Sequence, residues 1–86
     1  MMSEKFFVYI LRSTMTKRCY VGSTQNIDDR ISRHNSGRSL STKSGLPWKL
    51  VHVEEFANRG LAIKQELWIK KRGIARYLKS IGKTLA

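Results

Sequence analysis

The sequence predicts an α+β domain in which about three helices pack against a small, mainly antiparallel sheet of three strands, in the order β-β-α-β-α-α. Short runs of β-branched and aromatic residues near positions 6–11, 19–22 and 48–56 predict the strands. Apolar residues at helical spacing near positions 27–35 and 61–72 predict helices. With 86 residues, the chain has the length of one domain.

The first two predicted strands form a hairpin. Phe6–Leu11 is an apolar run, and Cys19–Gly22 follows it after a polar connection. With a hairpin that closes near Met15, Tyr9 and Tyr20 are expected to lie about opposite each other, and opposed residues of an antiparallel pair project to the same face. A register slip of a single residue sends one ring to the other face.

The first predicted helix starts after N-cap residues near Asn26 and ends at about Asn35. Residues spaced i, i+3, i+4 and i+7 share one of its faces: Ile27, Arg30, Ile31 and His34. An arginine and a histidine on that face suit phosphate binding and proton transfer. Ordinary amphipathic packing, with the histidine capping a carbonyl, explains the same pattern.

The third predicted strand is Trp48–Phe56. Alternation places Val51 and Val53 on one face and the larger residues on the other, namely Trp48, Leu50 and Phe56. Trp48 and Trp68 are both expected to be core anchors, and Trp48, which follows a polar loop, is the better candidate for a partly exposed position.

Two helices are predicted to complete the chain. Asn58 or Gly60 opens a helix from about Leu61 to Arg72, and Gly73 interrupts it. A short basic helix follows at about 74–82. We expect a single domain over residues 1–86 with its core at about 6–76.

The charge is the first indication of function. Seventeen Lys and Arg residues against six Asp and Glu residues give a net charge of +11, which predicts a polyanionic partner, with nucleic acid foremost. An anionic membrane surface, a ribosomal environment or an acidic protein would suit the same charge.

The apolar run Phe6–Leu11 is too short for a membrane span or a signal peptide, so a cytoplasmic protein without membrane association is expected. A lone cysteine, Cys19, rules out an internal disulfide and a cysteine-based zinc site and is expected to pack as a small hydrophobe.

Glu66 is the most informative acidic residue. It is the only acid from Arg59 to the end of the sequence, and a helical wheel places it on a mostly apolar face beside Ala62, Ile63 and Ile69. A carboxylate there requires a partner. A buried salt bridge to Arg or Lys is one interpretation, and a ligand for a hard divalent cation such as Mg²⁺ is the other.

The order of these residues resembles the GIY-YIG nuclease family, and most closely its small stand-alone bacterial group, the UPF0213-like proteins. The paired motif is Val8-Tyr9-Ile10 and Tyr20-Val21-Gly22. Further segments fit the family pattern in order: Gly22-Ser23-Thr24, Arg30, His34-Asn35-Ser36-Gly37, Ser41-Thr42-Lys43, Pro47-Trp48-Lys49-Leu50-Val51 and Ala62-Ile63-Lys64-Gln65-Glu66-Leu67-Trp68-Ile69-Lys70.

The resemblance implies the GIY-YIG endonuclease fold and hydrolysis of DNA phosphodiesters with one Mg²⁺ or Mn²⁺ ion. The implied catalytic residues are Tyr9, Tyr20, Arg30, His34 and Glu66. Glu66 is the implied metal ligand and Tyr9 the implied general base, whose ionisation the surrounding positive charge is expected to favour. Residues expected to hold the nucleic-acid backbone are Lys43, Lys49, Lys70, Lys71, Arg76 and Lys79.

The chain departs from the family pattern at three points. Val8 stands where the first motif has glycine, Gln65 replaces a frequent arginine, and the asparagine that longer nucleases carry after the glutamate helix is missing. A non-catalytic nucleic-acid-binding module and a structural or regulatory protein therefore remain alternatives. So small a core favours structured or single-stranded DNA over a long sequence, as in DNA repair or recombination, with RNA as a further substrate and the oligomeric state open.

Overall fold

The computed structural model describes residues 5–40 and 42–83. Within these ranges the chain forms strands β1 (Phe6–Ser13), β2 (Cys19–Thr24) and β3 (Trp48–Phe56) and α-helices α1 (Ile27–Asn35), α2 (Arg59–Arg72) and α3 (Ile74–Ser80). A 3₁₀ turn, Lys43–Gly45, precedes β3. Both strand pairs are antiparallel and the sheet order is β2-β1-β3. The predicted α+β class and element order are confirmed.

The central strand β1 is buried on both faces of the sheet. Val8 and Ile10 pack into a cluster with side chains of α2 and α3, including Ile69 and Leu78. On the other face, Tyr9 packs with Leu11 and Trp48, and residues of α1 cover this second cluster. Burial on both faces explains why Phe6–Leu11 of β1 is a continuous apolar run with no polar alternation.

The register of the hairpin differs from the prediction. Tyr9 pairs with Gly22 and Tyr20 pairs with Leu11, so the two tyrosines are not directly opposite each other. The hairpin closes one residue later than expected, with a 2.8 Å bond from the Ser13 N–H to the Arg18 carbonyl. This displaces the pairing by two residues, which preserves the face, and the two rings still lie on the same side with centroids 6.3 Å apart.

A β-bulge in β3 overturns the predicted division of its side chains. Ile10 pairs with His52 but Leu11 pairs with Leu50, so Val51 is an extra residue in the ladder. Val51 and Phe56 consequently pack against the same cluster, on the face of α2 and α3. Alternation through the strand would have placed these two residues on opposite faces.

The helix termini follow the capping residues. Asn26 caps α1 through a 3.0 Å bond to the Asp29 N–H, and Asn58 caps α2, which therefore begins before the predicted Leu61. Gly73 separates α2 from α3 with a φ of +101°, a conformation that L side chains rarely adopt. No helix in the described ranges is long and apolar enough to cross a membrane.

The prediction of two core anchors is right for Trp48 and wrong for Trp68, although the sequence makes Trp48 the better candidate for a partly exposed position. Trp48 is 8% exposed, and its indole N–H donates to the Thr42 carbonyl at 2.6 Å. Trp68 is 48% exposed on the outer side of α2, where it contacts Tyr77 edge-on and lies under the Arg72 guanidinium. Trp48 is thus the core anchor. Cys19 is partly buried against the core, as expected.

A polar cluster joins α3 to β3. The Tyr77 hydroxyl donates to Glu54, which also accepts from Gln65 at 3.0 Å and lies 2.7 Å from the His52 ring. Burial raises the pKa of Glu54, but the hydrogen bonds from Tyr77, His52 and Gln65 outweigh burial and hold it below its usual 4.5. Burial, followed by the bond to Glu54, raises the pKa of Tyr77 to about 12.

We expect Tyr77→Phe to lower the free energy of unfolding by about 1.5–3 kcal/mol at neutral pH, because a hydrogen bond to a charged carboxylate is lost without a change of volume. Since folding lowers the pKa of Glu54, its contribution is present above pH 4.5 and disappears as the pH falls through the lowered pKa. Urea denaturation of both proteins measures this at pH 7 and at a pH low enough to protonate Glu54 in the folded protein. An equal difference at the two pH values would contradict the assignment to Glu54.

Candidate functional site

The five side chains that the motif pattern singles out converge at the β2 edge of the sheet, where Arg30 and Glu66 are both near enough to Tyr9 to affect the pKa of its phenol. Tyr9 and Tyr20 project from the hairpin, and Tyr20 lies edge-on to His34 with ring centroids 5.0 Å apart. Arg30 comes from α1, as does His34. Glu66 comes from α2, whose buried side chains pack on the face of the sheet opposite to α1. It accepts a hydrogen bond from Ser23 of the edge strand β2. The site therefore draws on both layers of helices.

His34 is the buried link between a strand and a loop. Its Nε2 lies 3.0 Å from the Tyr9 hydroxyl, and its Nδ1 lies 2.7 Å from Thr42 Oγ1. His34 and Thr42 are both inaccessible to solvent. Burial, followed by the positive charge of Arg30, lowers the pKa of His34 below 6.5, so the ring is neutral at neutral pH. Both ring nitrogens of His34 thus bond to side-chain hydroxyls, those of Tyr9 and Thr42, and the predicted capping of a carbonyl is not seen among the described residues.

The protonation of Tyr9 contradicts the expectation that positive charge favours its ionisation. Burial raises the pKa of Tyr9 strongly, and the proximity of Tyr20 raises it further. The charge of Arg30 and its hydrogen bond to Tyr9 lower the pKa, but not enough to offset burial. Tyr9 is only 1% exposed, and desolvation of a phenolate there outweighs attraction to one guanidinium. In the free protein Tyr9 is a neutral phenol whose oxygen is held against His34.

Gly22 allows Tyr9 to reach this position. It pairs with Tyr9 across the hairpin, and a Cβ at Gly22 would lie 2.5 Å from the Tyr9 hydroxyl oxygen and 2.7 Å from Cζ. The phenol thus lies directly over the glycine backbone. A glycine in a strand commonly marks such a close approach.

Arg30 has an unsatisfied donor. Its Nε is buried without a hydrogen-bond partner among the described residues, although its guanidinium is near enough to Tyr9 to affect the pKa of the phenol. An unpaired buried donor is unfavourable, and a phosphate oxygen is a suitable acceptor for it.

Glu66 is more accessible than the helical wheel predicts. The side chain is 17% exposed and lies at the border of the buried face of α2, because Ala62 and Ile69 are buried as predicted whereas Ile63 is exposed. Glu66 Oε1 accepts from the Ser23 hydroxyl at 2.8 Å, and Oε2 lies 2.9 Å from the Lys70 ammonium. The predicted salt bridge is therefore present. The hydrogen bond to Glu66 raises the pKa of Lys70.

The residues around Glu66 suit a hard divalent cation that takes few protein ligands and keeps water in its shell, such as Mg²⁺. Within residues 5–40 and 42–83, no group of three or more His, Cys, Asp or Glu side chains could hold a metal ion. A cage made wholly of these protein ligands is therefore absent from the described residues. Mg²⁺ commonly takes one or two carboxylates and completes its shell with water and substrate phosphate, which one accessible carboxylate can satisfy.

The basic residues assigned to nucleic acid divide into three groups. Lys70 adjoins Glu66, and it lines a cleft of about 600 Å³ with Arg12, Lys17 and Arg18 of the hairpin. Lys43 and Lys49 are exposed in the segment that supplies Thr42 and Trp48. The remaining three are exposed, and nothing ties them to the centre: Lys71 at the end of α2, and Arg76 and Lys79 on α3, which covers the opposite face of the sheet.

Three residues with clear positions in the centre had no assigned role in the sequence. Ser23 supports Glu66, Thr42 supports His34, and Gly22 makes space for Tyr9. Each lies within a segment of the motif pattern, which was the signal that could have identified them. Ser41, which belongs to the same pattern, lies outside the described residues.

Comparisons with known proteins agree with this architecture. Residues 5–77 match the GIY-YIG catalytic domain. A UPF0213 protein from Syntrophus aciditrophicus is 42% identical over 80 residues, which is 91% of each chain. A relative from Oceanobacillus iheyensis, also a UPF0213 protein, is 32% identical over 71 residues, or 81% of each chain.

The solved structures include a similar fold. The solution NMR structure of a UPF0213 protein from Bacillus halodurans superposes with a TM-score of 0.55 and 27% identity, covering 90% of this chain and 82% of that one. Because the family match spans most of the sequence and the relatives from Syntrophus aciditrophicus and Oceanobacillus iheyensis align over 91% and 81% of their length, the chain belongs to the GIY-YIG family of nuclease-type domains.

Proposed function

We propose that the protein hydrolyses phosphodiester bonds in DNA with the help of one divalent metal ion. The observation that carries the proposal is the convergence at one sheet edge of a buried tyrosine–histidine pair, an arginine with an unsatisfied donor, and an accessible carboxylate. Membership of a nuclease-type family supports the same reaction class. Fold alone does not establish catalysis, so the proposal depends on these side chains.

Glu66 would hold the metal, Mg²⁺ or Mn²⁺, with Ser23 fixing the orientation of its carboxylate. A metal ion bound there supplies Lewis-acid polarisation of the phosphate. The Lys70 ammonium lies within 2.9 Å of the carboxylate and is itself 51% exposed, so it can turn toward a substrate phosphate once Glu66 has another cation as partner.

Tyr9 would accept a proton from the attacking water and pass its own to His34. In the tautomer in which Nδ1–H donates to Thr42, Nε2 accepts the hydroxyl proton of Tyr9. The neutral state of His34 suits this role, and it removes the need for a stable tyrosinate. In this revised role, Tyr9 and His34 together act as the general base.

Arg30 would bind the phosphate through its unsatisfied donor and stabilise the charge that develops in the transition state. Tyr20 lies between the rings of Tyr9, His34 and Trp48, and it would position the water and the Tyr9 hydroxyl. The exposed lysines around the centre would hold the backbone without reading sequence. Structured or single-stranded DNA, as met in repair or recombination, is the substrate we propose, with RNA to be compared.

A cleavage panel tests the proposal. Purified protein is incubated with linear, branched and single-stranded DNA and with RNA, in Mg²⁺, Mn²⁺ or excess chelator. We expect cleavage of DNA with exposed single strands or branches only when the metal is present, and loss of cleavage in Tyr9→Phe. Cleavage that continues in chelator, or is unchanged in Tyr9→Phe, would contradict the assigned chemistry.

The pairing of Glu66 with Lys70 also suits a protein that binds nucleic acid without cutting it. Such a module would bind DNA equally well with and without chelator and would cut none of the substrates in either metal. The same panel separates the two functions because binding and product formation are measured on the same DNA.

A further inference from the structure

A second basic pocket lies next to the centre, on the side of α1. It has a volume of about 390 Å³ and is lined by Arg30, Arg33, Arg38 and Ser39. None of its described lining residues is acidic. Arg30 belongs both to this pocket and to the surroundings of Tyr9, so the pocket opens directly beside the proposed reaction centre. We call it the α1 arginine pocket.

The charge of the α1 arginine pocket is only partly balanced within the protein. Arg33 lies 3.6 Å from Asp29, with both side chains more than half exposed. Arg38 donates from Nε to the Ser36 hydroxyl at 3.0 Å, a neutral partner that fixes the guanidinium without reducing its charge. Arg30 Nε has no described partner. Guanidinium groups that share a pocket repel one another, and an anion between them relieves the repulsion.

Phosphate is the anion that this chemistry fits best. Guanidinium groups present a planar set of donors that matches phosphate oxygens. The three guanidinium groups that line this pocket offer more positive charge and more donors than a single carboxylate requires. Because Arg30 is shared, a phosphate in the pocket would lie close to the phosphate that Arg30 holds for cleavage.

We propose that the α1 arginine pocket binds a second phosphate group of the substrate strand, close to the phosphate that is cut. The inference rests on the proposed function for the identity of the strand. Contacts at two phosphates would fix the direction in which the strand crosses the centre, because a single phosphate contact leaves the strand able to rotate and slide. The phosphate is either an internal diester or the doubly charged group at a strand end.

Binding in excess chelator tests the inference without requiring cleavage. The affinity for a short, fluorescently labelled single strand is measured over a range of salt concentrations, with a 5′-hydroxyl, a 5′-phosphate or a 3′-phosphate end. Arg38→Gln and Arg33→Gln are compared with Lys64→Gln, a matched loss of charge at an exposed position of α2 outside the pocket. Thermal unfolding of each variant establishes that it is folded.

We expect each arginine variant to bind roughly tenfold more weakly at low salt, as for the loss of one charge-assisted contact. The dependence of log affinity on log salt should fall by about 0.7 in the arginine variants, the single-strand value for one phosphate contact. Lys64→Gln should change neither quantity. A loss confined to strands with a terminal phosphate identifies the end group as the ligand, and an equal loss for all strands identifies an internal diester.

Arginine variants that bind as Lys64→Gln does would overturn the inference and leave the proposed function standing. If the arginine variants bind more weakly as expected but no substrate is cut in Mg²⁺ or Mn²⁺, the proposed function fails and the phosphate site in the α1 arginine pocket stands. Wild-type protein that shows no salt-sensitive binding would overturn both.

Discussion

Replacing Glu66 by glutamine is expected to reduce metal-dependent DNA cleavage by about a thousandfold, since a metal ion contributes several kcal/mol to transition-state stabilisation and each 1.36 kcal/mol corresponds to tenfold in rate. The substitution keeps the shape of the side chain, and the amide oxygen can still accept from Ser23. Lys70 loses its partner but is half exposed, so water solvates it and unfolding is expected to change by less than about 1 kcal/mol. Cleavage rates in Mg²⁺ and thermal unfolding measure the two effects.

The control for Glu66→Gln is Glu55→Gln. Glu55 also forms an ion pair, with Lys5 at 3.3 Å, but it lies on β3 and is exposed, so the same change of charge occurs away from the centre. Glu55→Gln should cleave DNA as the wild type does. A folded Glu66→Gln protein with wild-type rates would remove Glu66 from the mechanism and with it the proposed metal site.

Local sequence patterns were enough to predict the helices and strands of the fold and their order. Asn26, Asn58 and Gly73 predicted helix boundaries because caps and left-handed breaks act within a few residues. The β3 bulge was not predictable in this way, since Val51 becomes an extra residue only when β3 is aligned against β1. Pairing across the sheet, and not the sequence of β3 alone, decides which side its residues occupy.

The tryptophans show the same limit. Both tryptophans are expected in the core from their size and apolar character, but Trp48 finds an acceptor for its N–H in the Thr42 carbonyl and packs there. Trp68 lies on a side of α2 that is only partly covered, since Tyr77 of α3 contacts it edge-on and 48% of the residue stays exposed. Whether a large apolar residue is buried depends on which helix face the neighbouring elements cover, and that is a tertiary property.

The membership of the candidate site was predicted only through the order of the motifs. Physical arguments from the sequence left Tyr9, Arg30 and His34 as ordinary core or amphipathic residues. What the structure adds is their interaction: the neutral His34 beside Tyr9, and the burial that keeps Tyr9 protonated. Net charge suggested a tyrosinate, but desolvation depends on the local environment of the phenol, which composition does not contain.

Gly22→Ala is expected to reduce cleavage by about a hundredfold, which is the effect of displacing a reacting group by roughly an ångström. The new Cβ would overlap the Tyr9 hydroxyl and Cζ, at 2.5 and 2.7 Å. Tyr9 is buried and bonded to His34, so the ring cannot turn into solvent and must shift with its neighbours. Overpacking of this kind lowers stability by about 1–3 kcal/mol.

The double variant Gly22→Ala/Tyr9→Phe separates packing from chemistry. Removal of the hydroxyl relieves the closer contact, at 2.5 Å, so stability should recover in part, whereas cleavage should remain lost because the phenol oxygen is gone. Gly60→Ala is the matched control. Its nearest neighbour would be Asn58 Oδ1 at 3.4 Å, and alanine in the first turn of α2 should leave stability equal or slightly higher and cleavage unchanged. Wild-type cleavage by Gly22→Ala would mean that the position of the Tyr9 hydroxyl over this glycine does not matter to the reaction, and the Tyr9–His34 pair would lose its assigned part.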